Sequence, residues 1–152
     1  MKNHFTKLIT YNTWANRRVL PLITNPALVS SKAPLLMSHL LVAERVWLMR
    51  ALSQPAPLTL LWEAQEAGRL AELLEENAWE WQNLVAGQPF DSQQPTVNYH
   101  NSKGEKFSTS LADVITHMIN HGSHHRGQIL QLLKQDNIEV QPLDYIAWVR
   151  QV

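Results

Sequence analysis

Apolar side chains recur at spacings of three and four along most of the chain, and polar runs rich in proline interrupt them. In residues 2–22 the repeat runs through Phe5, Leu8, Tyr11 or Asn12, Ala15, Val19 and Leu22, the stripe of one helix face. Asn25-Pro26 ends it, because the residue before proline is pushed out of the α region. Ser30-Ser31-Lys32-Ala33-Pro34 reads as a loop that supplies an N-cap serine to the next helix. That helix spans 33–53, with Leu36, His39, Leu40, Ala43, Val46 and Trp47 on one face, and Gln54-Pro55-Ala56-Pro57 stops it. A third, rich in Ala, Leu and Glu, is expected over 62–86 and ends at Gly87-Gln88-Pro89.

The period then changes. Thr96-Val97-Asn98-Tyr99-His100 and Glu105-Lys106-Phe107-Ser108 flank a turn-like Asn101-Ser102-Lys103-Gly104, which predicts a short hairpin or extended loop. The fourth helix is expected over 110–136, opened by Ser110 with Asp113 as a capping pair. Its seam runs Leu111, Val114, Met118, His121, His125, Gln128 and Leu132. A tail at 142–149 offers one or two more turns. The fold class expected is all-α: a single domain over 1–152, built as a four-helix bundle with the hairpin before the last helix.

Composition narrows the chemistry. The 152 residues contain no cysteine, so disulfides, thiolate ligands and thiol nucleophiles are excluded. Thirteen basic and thirteen acidic residues balance, and no like-charged run stands out, which argues against nucleic acid as a partner. No apolar stretch is long enough to cross a membrane, and the first residues lack a signal-peptide core. A soluble cytoplasmic protein is expected.

Histidine carries the candidate chemistry. Four of the seven histidines fall in His117-Met118-Ile119-Asn120-His121-Gly122-Ser123-His124-His125-Arg126-Gly127-Gln128. His121 and His125 are one turn apart on the apolar seam, where side chains lie about 5–6 Å from each other. His117 and His121 have the same spacing, but the seam favours the later pair. His39 shares a core face of its own helix and is the candidate third ligand. Three buried rings need partners: either each is hydrogen-bonded in the core without a metal, or one shared ion satisfies all three. His124 lies off the seam, and His4 and His100 sit at a terminus and in the hairpin.

The H-x-x-x-H spacing here lacks the glutamate of H-E-x-x-H proteases, since Gly122 stands in its place. Three neutral ligands leave an ion its full charge and an open position, which suits activation of water or a thiol. Glu44 reads as an acceptor for a ligand histidine or, preferred, as one arm of a salt bridge. Arg126 is expected to pair with a carboxylate. Tyr11, Trp14 and Trp47 read as core packing or a dimer surface in preference to pocket lining.

Three segments also carry a family likeness: Tyr11-Asn12-Thr13-Trp14-Ala15-Asn16, His39-Leu40-Leu41-Val42-Ala43-Glu44-Arg45-Val46-Trp47, and the histidine-rich stretch at 117–128. Leu143-Asp144-Tyr145-Ile146 is a weaker fourth. With these the chain resembles the DinB/YfiT-like superfamily of small bacterial candidate metalloenzymes. The resemblance implies a four-helix bundle, commonly a homodimer, and a divalent ion (zinc, nickel or iron) on His39, His121 and His125. It further implies a small-molecule substrate and an external low-molecular-weight thiol, in a thiol-dependent transferase or isomerase reaction; the ion's open position equally suits a hydrolase. The alternative is a non-catalytic stress-response dimer whose ion is structural or sensory.

Overall fold

The computed structural model describes residues 1–29, 32–90, 93–101 and 103–151. Helix α1 covers Lys2–Val19 and tightens into a 3-10 turn over Leu20–Thr24. The α-helix was expected to reach residue 22. It stops at Val19 because Pro21 has no N–H to continue the ladder. Helix α2 covers Lys32–Ala51. Pro34 sits in its first turn, where the missing N–H costs nothing. The serines read as its cap, Ser30 and Ser31, lie outside the described residues.

Helix α3 runs Ala67–Ala86, not from residue 62 as its composition suggested. A 3-10 turn at Leu58–Leu60 and an irregular stretch precede it. Contacts with α2 override local propensity there. The Gln65 N–H donates to the Ser38 hydroxyl (3.0 Å), and the Leu61 carbonyl accepts from the His39 ring (2.7 Å). Those backbone groups are committed to another element and cannot join an α-helical ladder.

Strands β1 (Thr96–His100) and β2 (Lys106–Ser110) form the expected hairpin, antiparallel with Thr96 opposite Ser110 and His100 opposite Lys106. Asn101 holds the turn by accepting from the N–H groups of Lys103 and Glu105. Helix α4 follows directly over Leu111–Gln135, and the Ser110 hydroxyl caps it by accepting from the Asp113 N–H (3.1 Å). A short α5, Tyr145–Val149, lays Trp148 against Tyr11 and Ala15.

The fold is mostly helical. Of the four long helices, α2 packs on α3 and α4, and α1 packs on the same two. None is long and apolar enough to cross a membrane. Two apolar clusters fill the interior. One holds Met37, Leu41, Leu74, Ile129 and Leu133; the other holds Phe5, Ile9, Trp81, Ile115 and Met118. Between them, along α1, α2, α3 and α4, lie buried polar residues: Asn12, Asn16, Glu44, Asn77 and Arg126. The candidate site is at this level of the molecule.

Candidate metal centre

His39 on α2 and His121 and His125 on α4 come together as the seam argument required. Their ligand nitrogens lie within 4.8 Å of one another, so the group could hold one metal ion. His121 Nε2 lies 3.3 Å from His39 Nε2 and 3.1 Å from His125 Nε2. His39 and His125 are buried, and His121 is partly open to solvent.

Neighbouring groups fix two of the three tautomers. His39 Nδ1 faces the Leu61 carbonyl, which can only accept, so Nδ1 carries the hydrogen and Nε2 keeps its lone pair. His125 Nδ1 donates in the same way to Gln128 Oε1 at 2.8 Å. Two lone pairs therefore point at His121 Nε2, and one N–H there can serve only one of them well. A proton is a poor remedy. His121 is pushed down to about 4 by burial first and then by the neighbouring imidazoles, His125 foremost. Burial also lowers His125, against the opposing hydrogen bond to Gln128. A cation held by all three nitrogens removes the conflict, and neutral imidazoles are the right donors for a divalent one.

One face of the centre is covered. The Trp62 ring stacks on His39 with centroids 3.7 Å apart and planes 12° from parallel. Its other side is open, for Trp62 is 61% exposed. Sequence reasoning missed Trp62, Leu61 and Gln128 as parts of this site. Gln128 was visible three residues past His125 on the same seam. Trp62 opens the segment expected as helix and Leu61 directly precedes it, so nothing local placed them over His39.

The remaining histidines stand aside. His117 packs edge-on against Trp47 (5.1 Å), and burial followed by the charge of Arg50 lowers it. His124 is exposed with its ring 5.0 Å from that of His125. His4 and His100 are exposed on α1 and β1.

Glu44 and Arg126 depart from both readings offered for them. Glu44 is buried and, among the described residues, makes no hydrogen bond to a ligand histidine and no direct ion pair. Its Oε1 accepts from the side-chain amides of Asn12 (2.7 Å) and Asn16 (2.9 Å). Arg126 Nη1 donates to the other end of the same two amides, at 2.6 and 2.8 Å. Carboxylate and guanidinium are thus joined through two asparagines. Burial pushes Glu44 up, opposed by those hydrogen bonds and by Arg126, and burial lowers Arg126 against the pull of Glu44. The paired asparagines, four apart on the inner face of α1, were the sequence signal for this network.

Gly122 belongs to this network and not to the centre. A Cβ there would lie 2.9 Å from Asn12 Oδ1 and 3.0 Å from Arg126 Nη1. The glycine opens the wall of α4 where that hydrogen bond passes. Tyr11 is buried, its hydroxyl donating to the Leu143 carbonyl (2.7 Å), so it ties α1 to the C-terminal tail.

Comparison with known proteins agrees with this picture. The family model described as the DinB family matches residues 29–150. Protein DinB of Bacillus subtilis (strain 168) is 24% identical over 162 aligned positions, covering 95% of this chain and 93% of that one. No solved structure matches the chain.

Proposed function

We propose that this chain, which belongs to the DinB family, is a metal-dependent enzyme that uses an external low-molecular-weight thiol, or water, on a small electrophile. In this reading His39, His121 and His125 hold one zinc, nickel or iron ion. The observation that carries it is the convergence of three imidazole nitrogens, two of them with lone pairs fixed toward the third. When bound, the ion supplies Lewis acidity to the incoming nucleophile.

The chain's own groups do the rest. Leu61 and Gln128 hold two rings in the ligating tautomer, and such supports commonly set metal affinity by about 10–100-fold. Trp62 shields one face of His39 from water. The buried network sets the spacing of α1, α2 and α4, and with it the distance from His39 to the α4 pair. The chain has no sulfur nucleophile of its own, since cysteine is absent. We read the four long helices as a bundle and the protein as a homodimer, which light scattering in solution checks.

The test is thiol transfer to a chlorinated nitroarene by the metal-loaded protein. The sulfur–carbon bond forms as carbon–chlorine breaks, chloride leaves, and the thiol proton passes to water. His121→Ala should abolish the metal-dependent rate. Full activity in that variant rules out this site as the catalyst.

A further inference from the structure

The arginines of this fold divide by what they meet. Arg17, Arg45 and Arg69 bind glutamates of α3, and Arg126 reaches Glu44 through two amides. Arg50, in the last turn of α2, meets no carboxylate among the described residues. Its guanidinium carbon lies 4.6 Å from the Trp47 ring centroid and 4.7 Å from that of Tyr99. Its Nη2 also donates one hydrogen bond to the His100 carbonyl at 3.1 Å. Its other N–H groups are not buried, so an incoming acceptor can reach them.

Beside it is a cavity of about 320 Å³, lined by Arg50, Ser53, Leu58 and Tyr99 among others. Ser53 adds a second irregularity. The N–H groups of Ser53 and Gln54 bond back to Arg50 (3.1 Å) and Met49 (2.8 Å), the pattern that closes a helix through a left-handed residue. Glycine suits that position, yet serine occupies it at φ 56°. Ser53 is one of the residues that line the cavity.

The cavity is joined to the metal centre by a file of rings. His121 is followed by His117 at 5.8 Å, Trp47 at 5.1 Å and Tyr99 at 5.1 Å. Trp47 is eight residues past His39, roughly 12 Å along the axis at about 1.5 Å per residue. Arg50 leans back over it, as helical side chains lean toward the N-terminus.

We propose that Arg50, packed against the edge-to-face pair of Trp47 and Tyr99, receives the carboxylate of a small substrate or thiol whose reacting group sits at the three-histidine centre. A planar fork held against two rings suits a planar carboxylate, and the lining holds one guanidinium and no lysine to match a single negative charge. The ligand class is an acid of roughly 12 Å between carboxylate and reactive end, its body lying on the rings of His117 and Trp47. This inference rests on the metal reading above, and the experiment separates the two.

Zinc-loaded protein, its metal content measured by elemental analysis, is titrated calorimetrically with mercaptohexanoate, mercaptooctanoate and mercaptoundecanoate, each thiol terminal, and with the matching mercapto-alcohols. At one length the acid should bind about tenfold tighter than its alcohol, the worth of a charge-assisted hydrogen bond. Arg50→Gln should erase that preference while the alcohol's affinity stays. Tyr99→Leu, which removes one of the two rings that hold the guanidinium, should reduce it. Equal binding of acid and alcohol at every length, or a preference that survives Arg50→Gln, overturns the proposal. If the protein holds no zinc, the metal reading fails alone, and metal-free protein is titrated with octanoate while the Trp47 indole N–H is followed by NMR. A shift that vanishes in Arg50→Gln upholds the carboxylate site; no shift refutes it.

Discussion

Two polar clusters lie side by side in this molecule, and both draw on α2 and α4. In the first, Asn12, Asn16, Glu44 and Arg126 satisfy one another: carboxylate to amide nitrogens, amide oxygens to guanidinium. In the second, His39 and His125 are anchored through Nδ1 and aim their other nitrogens at a third ring that cannot answer both. Two of the helices are shared, and the hydrogen-bond arithmetic differs. A cluster that closes on itself holds helices together. A cluster that leaves lone pairs converging asks for an atom from outside.

The largest blow to that contrast should come from Glu44→Ala. It leaves the Arg126 guanidinium buried without its counter-charge, and an uncompensated buried charge costs about 3–5 kcal/mol. Urea denaturation measures it, and the folded fraction should still bind metal. A loss under about 1 kcal/mol would mean that the network is not the clamp described here.

Next in size is the centre itself. His125→Ala should weaken zinc or nickel binding by about 100-fold or more, beyond what loss of a supporting contact costs. Added metal should raise the melting temperature of the wild type and not of this variant. His117→Ala should leave metal content unchanged; lost metal there would redraw the ligand set.

Gly122→Ala tests the border between the clusters. Alanine favours a helix interior over glycine by about 1 kcal/mol. Here its methyl meets the Asn12–Arg126 hydrogen bond, and a net loss of about 1–2 kcal/mol is expected from overpacking. A stabilised variant would show that the network yields easily.

The smallest effect is on pH. His121 titrates at about 4 in the folded chain against an ordinary 6.5, so between those values the unfolded chain binds more protons. The metal-free protein should keep full stability above about pH 6.5 and lose it as pH falls toward 4. The slope should be shallow, for His121 is partly solvated. Urea melts at stepped pH should show it in the wild type and not in His121→Ala.

The helices and the hairpin were legible because apolar periodicity reports which face is buried, and that decides helix positions in a fold like this one. The three histidines were legible for the same reason: polar rings on apolar seams stand out. Residues 62–66 were not, because composition speaks for helix while Ser38 and His39 claim the backbone from another element. Glu44 was misjudged because a carboxylate on an inner face reads as a surface charge until its asparagine partners, on a different helix, are placed beside it. Arg50 was passed over for a like reason. Nothing near it in sequence tells that it has no carboxylate to meet.

The contact between His39 and residue 61 uses a carbonyl, the one part of a residue that mutation leaves in place. The side chain at 61 can therefore drift, or be rewritten, with the ring above it still held in its ligating form. A lineage, or a designer, can remodel the approach to the metal through Leu61 and its neighbours, and the machinery beneath need not be rebuilt each time.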